Sequence, residues 1–252
     1  MSGIVIGGEC QIPYHSPQMW KAFLRFIAEY EPEQVIIIGD FLDCPAPARW
    51  NRGTAEEYAG DLQGEIDLGK SMLTGLREVH SGYVGFHKGN HEARIDMYAR
   101  TKAPAFAGLD CLTVESLLDF KGFDIELRKP IHSLGKGTGW VSSHGDLGSL
   151  SKYSGGTAMA LARRLGRSVF CGHTHRLGIL NESYGLRAAS TLTGVESGHM
   201  MNVGKAGYIK HGSPNWQAGF ATAEIGKNNT VYPALVYISP SGKIRAGFDV
   251  PD

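Results

Sequence analysis

Residues 34–43 read QVIIIGDFLD, and this stretch decides the fold. Val35, Ile36, Ile37 and Ile38 form a short, wholly β-branched run that a glycine stops. That is the signature of a strand buried inside a sheet. The polar residues begin immediately past the strand end, with Asp40 and then Asp43. Working outward, GIVIGG (residues 3–8) reads as an earlier buried strand. Between the two lies SPQMWKAFLRFIAEYEP (residues 16–32). There Ser16 suits a helix N-cap, Pro17 the first helical position, and Met19, Trp20, Phe23, Leu24 and Ile27 one apolar face.

Downstream the alternation continues. Residues 54–80 have the composition of one long helix, with Thr54 and Glu57 placed as a capping box and Gly64, Gly69 and Gly75 weakening its interior. GYVGFHKGN (82–90), TGWVSSHG (138–145) and GRSVFCGH (166–173) read as three more strands. GGTAMALARRLG (155–166) reads as a helix. Residues 230–250 read as a hairpin turning at SPSG. Strands alternating with helices predict an α/β fold with at least one mixed sheet, built as a single domain over residues 1–252.

Composition narrows the function classes. The 252 residues carry 25 Lys plus Arg against 25 Asp plus Glu, so the formal net charge is zero. A long polyanion is then not an expected general partner. The four cysteines form no C-x-x-C pair, which argues against a structural zinc knuckle and suits a reducing compartment. The N-terminus lacks the pattern of a signal peptide, and no run of about 18 apolar residues occurs. A cytoplasmic protein with no membrane partner is expected.

The chemistry gathers at strand ends. GDFLD supplies Asp40 and Asp43, GNHE supplies Asn90, His91 and Glu92, SHGD supplies His144, and GHTHR supplies His173 and His175. In open α/β sheets ligands sit outside the carboxyl ends of the strands. Carboxylate, amide and imidazole at one edge suit a pair of divalent cations about 3.5–4 Å apart, sharing a carboxylate and activating water. Asp40 is the candidate shared ligand. Gly39, Gly89 and Gly172 each precede a proposed ligand and suit sharp strand-to-loop turns.

The ordered set GD-x-x-D, GNHE, His, GHTH over residues 4–176 resembles the calcineurin-like metallophosphoesterase family. PNWQAGFA (214–221) and the HTHR ending look like its phage and prophage branch. The resemblance implies a four-layer α/β/β/α sandwich of two mixed sheets flanked by helices. It also implies metal-dependent phosphoester hydrolysis through a metal-bridging hydroxide, more readily of a phosphodiester than a monoester, on nucleotides or nucleic-acid ends. By the same resemblance Asp40 bridges two ions, Asn90, His144 and His173 complete one site, and His175 belongs to the other. His91 is the proton donor, Asp43 and Glu92 hold the loops, and Arg94 is placed to contact a phosphate.

One motif departs from the family. Where D-x-H is expected, the chain has Glu9-Cys10-Gln11. Glu9 keeps the charge, whereas Gln11 replaces imidazole by an amide, a weaker ligand for transition metals. The first site is therefore expected to bind less tightly and to favour Mn or Mg over Fe, Zn, Co or Ni, with Mn the leading expectation. The competing functions are a degenerate member serving as a binding or scaffold module, and a phosphoprotein phosphatase. His15, His80, His87, His132, His199 and His211 lack a comparable context and are assigned to surface or packing roles. Trp216 and Gln217 suit either packing or contact with a base.

Overall fold

The computed structural model describes residues 2–206, 212 and 214–246. The elements run β1 (Ser2–Gly7), α1 (Pro17–Tyr30), β2 (Gln34–Ile37), α2 (Ala55–Ala59), α3 (Leu62–Val79), β3 (Tyr83–Phe86), α4 (Ala93–Lys102), α5 (Val114–Leu117), β4 (Ile125–Leu127) and β5 (His132–Ser133). They continue with β6 (Trp140–Ser143), α6 (Gly156–Leu165), β7 (Ser168–Cys171), β8 (Leu177–Tyr184), β9 (Ser190–Ser197), β10 (Gly219–Ile225), β11 (Val231–Ile238) and β12 (Ile244–Ala246). Seven strands form one sheet in the order β12-β11-β10-β1-β2-β3-β4, and five form a second in the order β5-β6-β7-β9-β8. Both are mixed. β1, β2, β3 and β4 run parallel while β10 pairs antiparallel with β1; β6, β7 and β9 run parallel while β8 pairs antiparallel with β9.

Period-two burial sets the layers. Val5, Val35 and Ile37 face outward from the seven-stranded sheet, into a cluster with Trp20, Phe23 and Ile27 of α1 and Ile66, Leu73 and Leu76 of α3. Their neighbours Ile4, Ile6 and Ile36 face the other way and meet Trp140, Phe170 and Val195 of the second sheet. Val169 and Cys171 then face α6 through Ala158, Met159, Leu161 and Ala162. Helix, sheet, sheet and helix are thus held by three separate apolar seams, as the resemblance implied. Fully burying each Val, Leu, Ile, Phe or Met side chain in those seams contributes roughly 1.5–3 kcal/mol.

Two local expectations need correction, and a third lies partly outside the described residues. The helix over 54–80 is broken at Gly60–Asp61. Asp61 caps the new helix by accepting from Gly64 N at 2.8 Å, and Gly64, Gly69 and Gly75 all lie inside α3. The Thr54–Glu57 capping box is absent. Thr54 Oγ1 donates to Asn51 O at 2.7 Å, and Glu57 accepts from Gly53 N at 2.5 Å, before the helix begins. The C-terminal hairpin forms as β11 and β12 with its turn at 239–242, but its last residues, 247–250, lie outside the described residues.

Candidate metal centre

The parallel strands β1, β2, β3, β6 and β7 all end at the same edge, and each hands the chain to a loop carrying proposed ligands. Those loops turn through the proposed ligands themselves. Gln11 (φ 49°), Asp40 (φ 49°), His173 (φ 69°) and His175 (φ 57°) all occupy the left-handed region. A residue with a Cβ loses roughly 1–2 kcal/mol there. Four such residues at one strand edge mark a place where side-chain direction outweighs backbone comfort. The preceding glycines act differently from expectation. Only Gly39 has a positive φ (101°). Gly89 and Gly172 are small because of what approaches them: a Cβ on Gly89 would overlap Asp40 Oδ1 and N, and one on Gly172 would sit 2.9 Å from Glu9 Oε1.

Asp40, His144 and His173 bring one ligand atom each within 4.8 Å of one another. His144 Nδ1 lies 3.0 Å from Ile38 O and donates to it, so in the neutral ring Nε2 carries the lone pair. That lone pair faces Asp40 Oδ2 at 3.4 Å and Asn90 Oδ1 at 3.1 Å. Three acceptors converging on a buried point repel one another unless a cation or a proton lies between them. Burial alone would keep His144 neutral, but the Asp40 carboxylate pushes it up to about 10. Burial likewise opposes ionisation of Asp40, yet His144 and His91 hold its carboxyl well below the usual range. The donor set fits a divalent cation of borderline hardness.

The second group lies at the end of β1. His175 Nε2 is 2.8 Å from Glu9 Oε2 and 2.7 Å from Gln11 Nε2, and Gln11 Nε2 is 3.3 Å from Glu9 Oε2. Glu9 is fully buried, and its Oε1 has no hydrogen-bond partner among the described residues. Burial raises the Glu9 carboxyl, but His175 lowers it further, so it stays ionised. A buried carboxylate with one oxygen unsatisfied fits a cation ligand. Gln11 Nε2 donates to Glu9 Oε2 and lies against His175 Nε2, which either accepts the second amide N–H or carries its own proton towards Glu9. A 180° turn of that amide would present the oxygen to a cation shared by the other two.

Glu92 locks these loops together. Its Oε2 accepts from Gly89 N (2.8 Å) and Asp40 N (3.1 Å), and its Oε1 accepts from Leu42 N (2.9 Å). Asp43 lies against His91, with Oδ1 at 2.9 Å and O at 3.1 Å from Nδ1. His91 Nε2 lies 3.6 Å from Asp40 Oδ2 and 2.9 Å from Arg94 Nη2. Burial lowers the His91 pKa, but Asp40 and Asp43 reverse this and leave it raised. Arg94 is pinned by Nη1 donating to Asp43 O at 2.6 Å.

Asn90, His91, Arg94, His173 and His175 line a cleft of about 740 Å³ together with Tyr14 and Trp50. Tyr14 and Trp50 escaped the reading of the sequence because neither lies in a motif. Cys10 and Cys171 pack into the sheets as expected. Of the remaining histidines, His199 is buried behind His175, with ring centroids 6.0 Å apart, and accepts from Met201 N. His15, His80 and His87 are also buried, and His211 lies outside the described residues. Trp216 packs on His175 with centroids 4.2 Å apart, and Gln217 ties Ser154 to Asn215. Among the described residues no helix is long and apolar enough to cross a membrane.

No protein-family model matches the sequence. The chain is 37% identical over 240 residues to the Gene 54 protein of Mycobacterium phage D29, and 36% identical over 240 residues to that of Mycobacterium phage L5. The matches cover 93% of this chain and 93% of each relative. Among solved structures, Vacuolar Protein Sorting 29 from Cryptosporidium parvum superposes with a TM-score of 0.51 at 14% identity, covering 98% of this chain and 95% of that one. The zinc complex of Vps29 from Entamoeba histolytica gives 0.50 at 13%, covering 97% and 96%. Folded as two mixed sheets between helices, the fold it shares with Vps29, the chain belongs to the family of the mycobacteriophage Gene 54 proteins.

Proposed function

We propose that the protein is a metal-dependent phosphoesterase that cleaves phosphodiesters of nucleotides or nucleic-acid ends. The observation that carries this reading is the convergence of Asp40 Oδ2, Asn90 Oδ1 and His144 Nε2, with Asn90 itself lining the cleft. Asp40, Asn90, His144 and His173 would hold one divalent cation. Glu9 and His175, with Gln11 behind them, would hold a second against Asp40. Manganese is favoured over Fe, Zn, Co, Ni or Mg. Cations bound there would act as Lewis acids on water and neutralise charge developing at phosphorus.

The protein's own groups supply the rest. Arg94 projects into the cleft and, without substrate, donates to His91 Nε2. A phosphate oxygen is a stronger acceptor for a guanidinium than an imidazole nitrogen is. Substrate therefore draws Arg94 away and leaves His91 Nε2 to carry a proton. Asp43 holds Nδ1–H in place, which fixes the tautomer and favours the charged ring. His91 then donates its Nε2 proton to the departing oxygen, a contribution of about 10²–10⁴-fold. Asp43 and Glu56 share the cleft lining with Arg94, so the walls carry little net positive charge. That balance suits a monoanionic diester better than a dianionic monoester.

The test is hydrolysis of bis(p-nitrophenyl) phosphate and p-nitrophenyl phosphate by purified protein with Mn, Fe, Co or Ni, beside metal counting. Turnover of the diester is expected, together with two Mn per chain at saturation. His91→Ala should fold and bind metal normally and lose about 10²-fold or more in kcat. A wild-type protein inert with every metal would reject the enzyme reading in favour of a binding module.

A further inference from the structure

A tryptophan stands exposed on the wall of the cleft. Trp50 is 61% exposed, and it lines the same cavity as His91 and Arg94. Leaving so large an apolar ring in water forgoes the stabilisation that burial would give. Its setting is not a loose loop. The short 3₁₀ turn Arg49–Asn51 that carries it is fixed by Asn51, whose N donates to Ala48 O at 3.1 Å and whose Nδ2 donates to Pro45 O at 2.8 Å. Two guanidinium groups lie over the indole, Arg94 with Cζ 5.2 Å and Arg49 with Cζ 5.0 Å from the ring centroid. They are not equivalent. Arg94 is anchored to Asp43 and His91, whereas Arg49 is exposed and no hydrogen bond or ion pair holds its side chain among the described residues.

We infer that Trp50 is the stacking platform for a nucleobase of the substrate, with Arg49 as the cover that the base displaces. The inference rests on the phosphodiesterase reading above and narrows it to substrates bearing a base next to the scissile phosphate. Arg94 joins the two ends of the arrangement, since one guanidinium touches both the indole and His91. A phosphate at Arg94 thus places its attached nucleoside within reach of Trp50. Stacking also tolerates any base, because every base offers a π-face, so selectivity for nucleic acid over other phosphoesters needs no base-edge contacts.

The experiment uses Mn-loaded full-length protein and two ligands, a phosphorothioate dinucleotide and the same backbone with both bases removed. Trp20 and Trp140 are buried and Trp216 is half-buried against His175, so the Trp50-dependent part of the quenching by the base-bearing ligand is read as the difference between wild type and Trp50→Phe. Base-bearing ligand is expected to quench wild type and to bind about tenfold more tightly than the abasic one. Trp50→Ala should lose both the quench and that tenfold preference, and Trp50→Phe should keep most of the preference without the quench. Equal affinity of wild type and Trp50→Ala for the base-bearing ligand would overturn the inference. So would an equal loss for both ligands, or a matching preference for an aromatic phosphopeptide. Circular dichroism of both variants guards against misfolding. Activity of wild type on bis(p-nitrophenyl) phosphate separates failure of the stacking role from failure of the phosphodiesterase reading.

Discussion

Glu92→Gln is the substitution whose effect can be worked most fully from the structure. The side chain keeps its size, so no cavity opens. What changes is the acceptor count. Glu92 takes three backbone N–H groups, two on Oε2 and one on Oε1, and all are buried. Glutamine has one carbonyl oxygen. If that oxygen takes the Oε2 position, Gly89 N and Asp40 N keep a weaker, neutral acceptor, while the new NH₂ faces Leu42 N–H donor to donor. The reverse orientation strands two donors instead of one. The better orientation still leaves one buried N–H unsatisfied, which costs about 1–3 kcal/mol. Burial and the neighbouring Asp40 push the Glu92 carboxyl up to about 7, so wild type loses stability as pH rises from 4.5 towards 7 and the glutamine variant does not. The loss in unfolding free energy is therefore largest near pH 4.5, about 1–3 kcal/mol or roughly 2–12 °C in Tm for a chain of this size, and shrinks towards pH 7. Because the same bonds hold Asp40 and the Asn90 loop, metal affinity should fall about 10–100-fold. Urea unfolding of metal-free protein reads the first effect and a Mn titration the second. Wild-type stability with wild-type affinity would show that the three bonds do not position the ligands.

Three further outcomes follow from single contacts. Glu65 is buried on α3, accepts from Cys44 N at 3.0 Å, and is raised by burial to about 8. Its native state holds a proton that the unfolded chain releases near 4.5, so stability is full below pH 4.5 and is lost as pH rises towards 8. Glu65→Gln should gain on wild type by a few kcal/mol across that window, and pH-dependent thermal melts that run parallel from pH 5 to 8 would contradict it. Gln11→His restores an imidazole beside Glu9 and His175, and should increase the Zn or Co retained after desalting. Unchanged metal content would place residue 11 outside the coordination shell. Gly89→Ala puts a methyl against Asp40 Oδ1 and N, so it should lower both Mn affinity and Tm, whereas Gly108→Ala, with nothing within 4 Å, should change neither by more than about 0.5 kcal/mol.

The strands that carry the site were legible in the sequence because burial on both faces forces continuous apolar runs, as in Val35–Ile38 and Ser168–Cys171. β10 was not. GFATAEI is built from small residues, because a close neighbour needs them there: a Cβ on Gly219 would collide with Val236 O. The hairpin β8–β9 was hidden for a different reason. The outer end of β8 is exposed and carries polar residues, while β9 is largely buried but built from Thr, Gly, Glu and Ser, so LGILNESY and STLTGVES show a mixed pattern rather than an apolar run. Residues 54–80 misled because helix propensity is local. It does not register that Gly60 must stay small beside Ala46, which is where the helix breaks.

The site was legible as a set of residue types, and its geometry was not. Asp40, His144 and His173 lie within reach of one another and Asn90 lies beside His144, but the left-handed backbone at Gln11, Asp40, His173 and His175 leaves no trace in composition. That geometry bears on the departure at Glu9 and Gln11. Glutamine has no special tolerance for φ 49° and is wholly buried, so nothing about the backbone favours it there. What it supplies is a donor to Glu9 Oε2 at 3.3 Å beside His175 Nε2. An imidazole in its place would offer one nitrogen to a cation and leave Glu9 with His175 as its remaining hydrogen-bonding neighbour. With no cation present the amide nitrogen holds Glu9 beside His175, and a cation shared by those two requires the amide to turn its oxygen inward. Residue 11 thereby exchanges metal-binding strength for a pre-set carboxylate–imidazole pair, and if two cations bind as proposed they should fill in sequence rather than together, beside Asp40 and His144 first.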